Sequence, residues 1–204
     1  MDQLIEKVIE MIRNAGLVEV EVSIPHVHLR ESDVEVLFGK GAVLHEKSPI
    51  SQPGQYLCEE YVNLIGPEGR MDSAAVIGPV RENTQIEVTL TDARRLGVKA
   101  PIRESGKLED AAAITMEGPY GSVEVPSGVI VAHSHVHVPE EIAQKLDLKD
   151  KERVDVQVLS ERPVTFHDVI IRVSSRSRFR MHVDLDEANA AGINGFTLGK
   201  IIKK

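Results

Sequence analysis

The segment "VEVEVSI" puts Val18, Val20, Val22 and Ile24 at every second position, with Glu and Ser between them. That is the period of a strand with one buried face. The residues before it keep another period. Leu4, Ile5, Val8, Ile9 and Ile12 recur at helical spacing, with Asp2, Glu6, Lys7, Glu10 and Arg13 opposite and Gly16 closing the run. This predicts an amphipathic helix over residues 1–16, docked on its own chain or a partner subunit, with a targeting segment as the alternative. Further strands are predicted at "SAAVIGPV", "TQIEVTL", "SGVIVAH", "RVDVQVL", "DVIIRV" and "FRMHVDL". Short helices are predicted at "ESDVEVLFG", "TDARRLG", "PEEIAQKL" and "DEANAAG", each opened by Ser, Thr, Pro or acidic residues. Two Gly-Pro-x-Gly segments, in "NLIGPEGRM" and "TMEGPYGSV", read as tight turns. Many short strands with brief helices point to a mainly β fold, as β-barrels or a sandwich, rather than alternating βαβ units.

Composition narrows this picture. The 204 residues allow one large or two small domains, and 42% apolar content supplies a core. With no Trp, three Tyr and four Phe, that core must be aliphatic. Thirty-two acidic against 24 basic residues leave a net charge of −8, which argues against nucleic acid as a general partner. No apolar run approaches the roughly 18 residues of a membrane span, and the charged N-terminus does not read as a secretory signal. A single cysteine, Cys58, excludes an internal disulfide framework and suits a reducing, cytoplasmic setting.

The histidines carry the chemistry. Five of eight fall in two stretches, "IPHVHL" and "AHSHVHVP": His26 and His28, then His133, His135 and His137. Residues i and i+2 of a strand share a face with Cβ atoms roughly 7 Å apart, so two such imidazoles can converge on one ion. The chain also repeats itself. "EVTLTDARRLG" (Glu87 to Gly97) aligns without gaps to "HVDLDEANAAG" (His182 to Gly192), with an acidic residue matched at Asp92 and Glu187. A His-Val-His precedes each copy, which implies two related modules. Glu87 superposes on His182, and both can ligate a metal. The candidate sets are therefore His26, His28 and Glu87, and His135, His137 and His182. Each would leave an open position, as catalytic zinc requires. The competing reading puts Glu87 with Gln85 and Thr89 on a solvated strand face, the histidines being surface residues.

Other candidates are weaker. Arg81 closes "IGPVR" six residues before Glu87, so both are expected on or near one strand, where the guanidinium could clamp phosphate. Cys58 reads as a small, half-buried packing residue rather than a nucleophile. His45 and His167 read as surface residues, and His133 as a spare ligand or a bystander. No Walker loop, Rossmann fingerprint or nucleophile elbow is present.

From "VSIPHVHL" onward the chain resembles the PduL-type phosphotransacylases (phosphate propanoyltransferases). The resemblance rests on "SQPGQY", "GPEGR", "GPVRENTQIEV", "TDARRLG", "APIRESG", "GVIVA", "HVHVP" and "MHVDLDEANAAG", in that order. It implies two β-barrel modules with short capping helices and a dinuclear zinc site at their junction. Residues 17–24 with 133–204 would form one barrel and 25–132 the other. It implies transfer of an acyl group between coenzyme A and inorganic phosphate, without an acyl-enzyme. The family's zinc ligands fall on His26, His28, Glu87, His135, His137 and His182, and its phosphate-binding, catalytic arginine on Arg81. Coenzyme A contacts fall on Val22, Ser23, Ile24 and Asn189. A homodimer is implied, as is a place inside a bacterial microcompartment, reached through the N-terminal helix.

The chain departs from the family pattern at Pro25, Glu68, Ala75 and Ser134, where basic residues are common, with Ile24 a further change beside the first pair. Lost cations bear on coenzyme A binding, with Arg30 and Arg70 as the nearby replacements. The alternatives are a divergent zinc enzyme acting on another thioester or phosphate ester, and a non-catalytic subunit that keeps its metals for stability.

Overall fold

The structure, a computed structural model, describes residues 2–204. It opens with helix α1 (Asp2–Asn14) and strand β1 (Leu17–Ser23), then β2 (His26–His28), α2 (Glu31–Phe38), β3 (Glu46–Pro49) and β4 (Tyr56–Ile65). Next come β5 (Arg70–Gly78), β6 (Gln85–Glu87), α3 (Leu90–Leu96), β7 (Ile102–Arg103), β8 (Ala112–Glu117) and β9 (Ser122–Ala132). The chain ends with β10 (His135–Val138), α4 (Glu140–Leu146), β11 (Arg153–Leu159), β12 (Thr165–Val173), β13 (Arg180–Asp184), α5 (Leu185–Ala190) and β14 (Leu198–Ile202). It divides into two compact units. One runs to Ser23 and resumes over Ser134–Lys204; the other is Ile24–His133.

Each unit is a closed six-stranded barrel. The discontinuous unit closes in the order β10-β13-β1-β14-β11-β12. In the continuous unit β8 pairs with both β4 and β9 and closes the ring β2-β6-β9-β8-β4-β5, with β3 and β7 added at the flanks. Taken in these orders, every neighbouring pair has the same sense. β2 against β6 and β10 against β13 are antiparallel; β6 with β9 and β13 with β1 are parallel. The repeat seen in eleven residues thus extends to the whole barrel. Apart from the added β3 and β7, the barrels differ in connectivity: β1, at the chain's start, takes the place in its barrel that β9 takes at the end of the other.

Closure removes sheet edges and leaves each barrel an aliphatic interior. Val27, Leu64, Val76, Ile86, Met116 and Val129 fill the continuous barrel. Val18, Val20, Val136, Val154, Val156, Ile171 and Met181 fill the other. Val18 and Val20 follow the predicted alternation, but Ile24 lies beyond the strand and is exposed. Cys58 is fully buried in the core rather than half-buried.

The repeated segments form the same strand-to-helix corner. Thr89 caps α3 and Asp184 caps α5, each in a capping box completed by the matched acidic residue, Asp92 or Glu187. Both Gly-Pro-x-Gly turns lie against helix ends. A Cβ at Gly66 would stand 2.0 Å from the Leu96 carbonyl oxygen that closes α3, and one at Gly118 2.4 Å from that of Leu37 in α2. The turns donate Glu68 N–H and Tyr120 N–H to those same carbonyls. Glycine is needed there to bring a hairpin under a helix C-terminus.

Most of the α1 stripe is not buried on its own chain: Leu4, Ile5, Val8 and Ile9 are exposed and Ile12 is half-buried, while Glu10 pairs with Lys145 of α4 at 3.0 Å. No helix among the described residues is long and apolar enough to cross a membrane.

Candidate metal centres

In each barrel the His-Val-His strand buries its central valine in the core, Val27 or Val136, and turns its histidines to the other face. The antiparallel neighbour supplies the third donor in the same register: His26 faces Glu87, and His135 faces His182. Ligand atoms of His26, His28 and Glu87 all lie within 4.8 Å of one another, as do those of His135, His137 and His182. His133 belongs to neither group.

Two donors at about 2.0–2.1 Å from a tetrahedral ion stand about 3.3 Å apart. The Nε2 atoms of His135 and His137 are 3.1 Å apart, and His26 Nε2 is 3.6 Å from Glu87 Oε2. In the continuous barrel the tautomers follow from hydrogen bonding. His26 Nδ1 lies 2.8 Å from the Ile24 carbonyl oxygen, and His28 Nδ1 3.1 Å from that of Ile77. A carbonyl only accepts, so Nδ1 carries the proton and each Nε2 keeps its lone pair for an ion.

Electrostatics acts in the same direction. Burial first, then His26 and Arg81, pushes His28 down to about 3 against the opposing pull of Glu87. Burial, then His135, His182 and Arg172, pushes His137 down to about 2. Both rings are neutral at pH 7, the state that ligates metal. The donor sets therefore fit a divalent ion of the zinc class, and three donors leave the fourth position of a tetrahedral ion to another ligand.

The surface reading of Gln85, Glu87 and Thr89 fails. Gln85 and Thr89 are buried, and the Glu87 side chain is only 12% exposed. Arg81 does not share a strand with Glu87: β5 ends at Gly78, and Arg81 lies in the connection to β6. That connection is tied down at two points. Arg81 N–H donates to the Leu29 carbonyl at 2.8 Å. Farther on, Thr84 Oγ1 donates to the buried Asp33 carboxylate at 2.6 Å and accepts from Arg30 N–H at 3.0 Å. Arg81 Nη1 reaches Ser105 Oγ at 3.4 Å.

Three residues with parts here went unread in the sequence: Asp33, Thr84 and Ser105. Gln85, two residues from Glu87 and so on its strand face, reads there only as a solvated neighbour. Val22 and Ser23 lie on β1, paired with Val183 and with Asp184, the α5 cap. Ile24 and Asn189 are exposed. Burial and the nearby Glu60 carboxylate push the Cys58 thiol up to about 11, which leaves it protonated and no nucleophile. His45 and His167 are exposed as expected, each beside a carboxylate, Glu60 at 2.6 Å and Asp155 at 2.8 Å.

Residues 19–194 match the phosphate propanoyltransferase family. A phosphate propanoyltransferase of Clostridioides difficile is 45% identical over 204 residues, covering all of this chain and 98% of its own. One from Leptotrichia buccalis is 46% identical over 184 residues, 90% of this chain and 87% of its own. One from Thermotoga maritima is 42% identical over 200 residues, 98% and 95% of the two chains. Likeness of this extent, over a chain whose two barrels each gather three metal-competent donors, places it: the chain belongs to the phosphate propanoyltransferase family and is a phosphotransacylase enzyme.

Proposed function

We propose that the chain moves an acyl group between coenzyme A and inorganic phosphate by direct attack. A phosphate oxygen adds to the thioester carbonyl, the C–S bond breaks, and acyl phosphate and coenzyme A thiolate leave. The observation that carries this reading is the pair of three-donor clusters, one of them beside Arg81, whose charge is felt at His28. Zinc bound there would supply Lewis-acid polarisation of the carbonyl and stabilise its developing negative charge. His26, His28 and Glu87 would hold one ion, and His135, His137 and His182 the other. Arg81 would take phosphate through its planar fork. Val22, Ser23, Ile24 and Asn189 are the contacts proposed for coenzyme A, and the exposed stripe of α1 supports a dimer or shell contact there.

Fewer free cations await the cofactor than the family pattern supplies. Ser134 is buried, donating to Glu187 at 3.0 Å, and Ala75 is buried in register with His26. Arg70 is engaged by Asp72 and Glu117, and Arg30 by Asp33. The reading therefore carries a raised KM for acyl-CoA.

The test is phosphate-dependent release of free thiol from acetyl-CoA and propanoyl-CoA. Zinc-loaded protein that releases none, or releases it equally without phosphate, overturns the reading. Arg81→Lys keeps the charge and loses the fork, so half-saturation by phosphate should rise about tenfold at unchanged zinc content.

A further inference from the structure

Gln85 is 2% exposed and uses its whole amide. Its Nε2 donates to Glu87 Oε1 at 2.6 Å and to Ser105 Oγ at 2.8 Å, and its Oε1 accepts from Gly106 N–H at 2.7 Å. The amide can sit only this way round. Flipped, its oxygen would face a carboxylate and its NH2 would face an N–H. Gly106 is held at φ +95, which favours glycine, and so presents its N–H to the strand.

We infer that Gln85 is a positioning residue that sets the Glu87 carboxylate for metal and, through Ser105, the Arg81 guanidinium for phosphate. The inference rests on the proposed roles of Glu87 and Arg81. Glu87 reaches its histidine partner through Oε2, 3.6 Å from His26 Nε2, while Oε1 is held from behind by Gln85. Fixing one oxygen fixes the plane of the carboxylate, and so the direction of the other. On its other side the same NH2 group fixes Ser105, whose hydroxyl is the acceptor for Arg81 Nη1 at 3.4 Å. One buried amide thus spans the step from metal ligand to anion ligand. Gln85 touches no reacting atom and acts only through its neighbours.

Two substitutions separate the arms. Gln85→Met keeps the length and burial of the side chain and removes every hydrogen bond. Ser105→Ala removes only the arm toward Arg81. Zinc affinity is read by competition with a chromophoric chelator, and phosphate affinity by titrating inorganic phosphate into zinc-loaded protein without acyl-CoA. Gln85→Met should weaken one of the two zinc equivalents about 10–100-fold, the usual cost of losing an outer-shell partner, and leave the other unchanged. It should also weaken phosphate. Ser105→Ala should weaken phosphate several-fold and leave both zinc equivalents intact. Unchanged zinc affinity in Gln85→Met, or equal loss at both equivalents, overturns the inference. Should Gln85→Met not fold, unchanged phosphate affinity in Ser105→Ala overturns it instead. Neither readout involves turnover. Protein that shows the selective zinc effect yet releases no thiol from acyl-CoA would refute the acyltransferase reading and leave this one standing.

Discussion

In the continuous barrel the third donor is Glu87 on β6; in the barrel completed by β1, the corresponding position on β13 is His182. A divalent ion on two imidazoles and a carboxylate would keep a net charge of about +1, and one on three imidazoles the full +2. The surroundings differ to match. Two residues before Glu87 stands Gln85, a neutral amide that can donate to a carboxylate. Two residues before His182 stands Arg180, paired with Glu19 at 2.9 Å and Glu21 at 3.6 Å on β1. A neutral imidazole ligand has no use for such a donor, and the cation there is balanced by its own carboxylates. The two barrels share the geometry of three donors and differ in charge at two positions of one strand. The cluster that would carry the lower charge is the one beside Arg81, where an anion is expected, and the other, if loaded, would be the stronger electrophile.

Removing one donor from each barrel tests that contrast hardest. His26→Ala and His135→Ala should each lower zinc from two ions per chain to one by elemental analysis, because each cluster draws its donors from a single barrel. Either loss should cut turnover by about a hundredfold or more, the scale of losing a main electrostatic stabiliser. If one substitution releases both ions, the clusters are not separate sites and the comparison fails.

The next effect concerns how each barrel closes its strand-to-helix corner. In the continuous barrel the β4–β5 turn lies under α3 through Gly66, whose added Cβ would meet the Leu96 oxygen at 2.0 Å. In the other, Ser160 between β11 and β12 donates its hydroxyl to the Ala191 carbonyl after α5 at 2.6 Å. One corner uses close backbone approach and the other a side chain. Gly66→Ala should therefore cost about 1–3 kcal/mol through overpacking against backbone. Ser160→Ala should cost about 0.5–1.5 kcal/mol, one hydrogen bond. Denaturant midpoints measure both, and the reverse order would show that the corners do not differ in this way.

These contrasts also mark what the sequence makes legible. His-Val-His and the eleven-residue repeat show because their signal is local: period two, then a cap, a helical turn and a glycine. Strand β4 does not show. Its pairing with β5 shifts register twice, and the shifts break the alternation across "QYLCEEYV". Strand β14 hides behind Gly199, which reads as a loop residue, yet a Cβ there would stand 2.7 Å from Val156 Cγ1 in the packed core. Spacing places Arg81 on or near the strand of Glu87 but cannot reveal that β5 stops at Gly78, which leaves Arg81 in the connection before β6. Asp33 with Thr84, and Gln85 with Ser105, are contacts 51 and 20 residues apart, and no periodicity announces a hydrogen bond across that distance.

The last effect concerns the two buried histidines, one in each barrel, when metal is stripped. Both have folded values far below the ordinary 6.5, His28 at about 3 and His137 at about 2. A depressed histidine keeps its proton off in the folded state while the unfolded chain takes one up. Its stabilising contribution is complete above pH 6.5 and is lost as pH falls from there toward the folded value. Each histidine should therefore steepen the acid loss of stability by up to about 1.4 kcal/mol per pH unit across its window. The causes differ: at His28 Glu87 and the Ile77 carbonyl offset part of the shift, whereas His135, His182 and Arg172 all act with burial at His137. Chelator-treated His28→Gln and His137→Gln should both flatten the decline between pH 6.5 and 3. The measurement is the difference between variant and parent in urea midpoint against pH, which cancels the carboxylates common to both. A variant whose decline is as steep as the parent's would mean that burial does not hold that histidine neutral in the folded state.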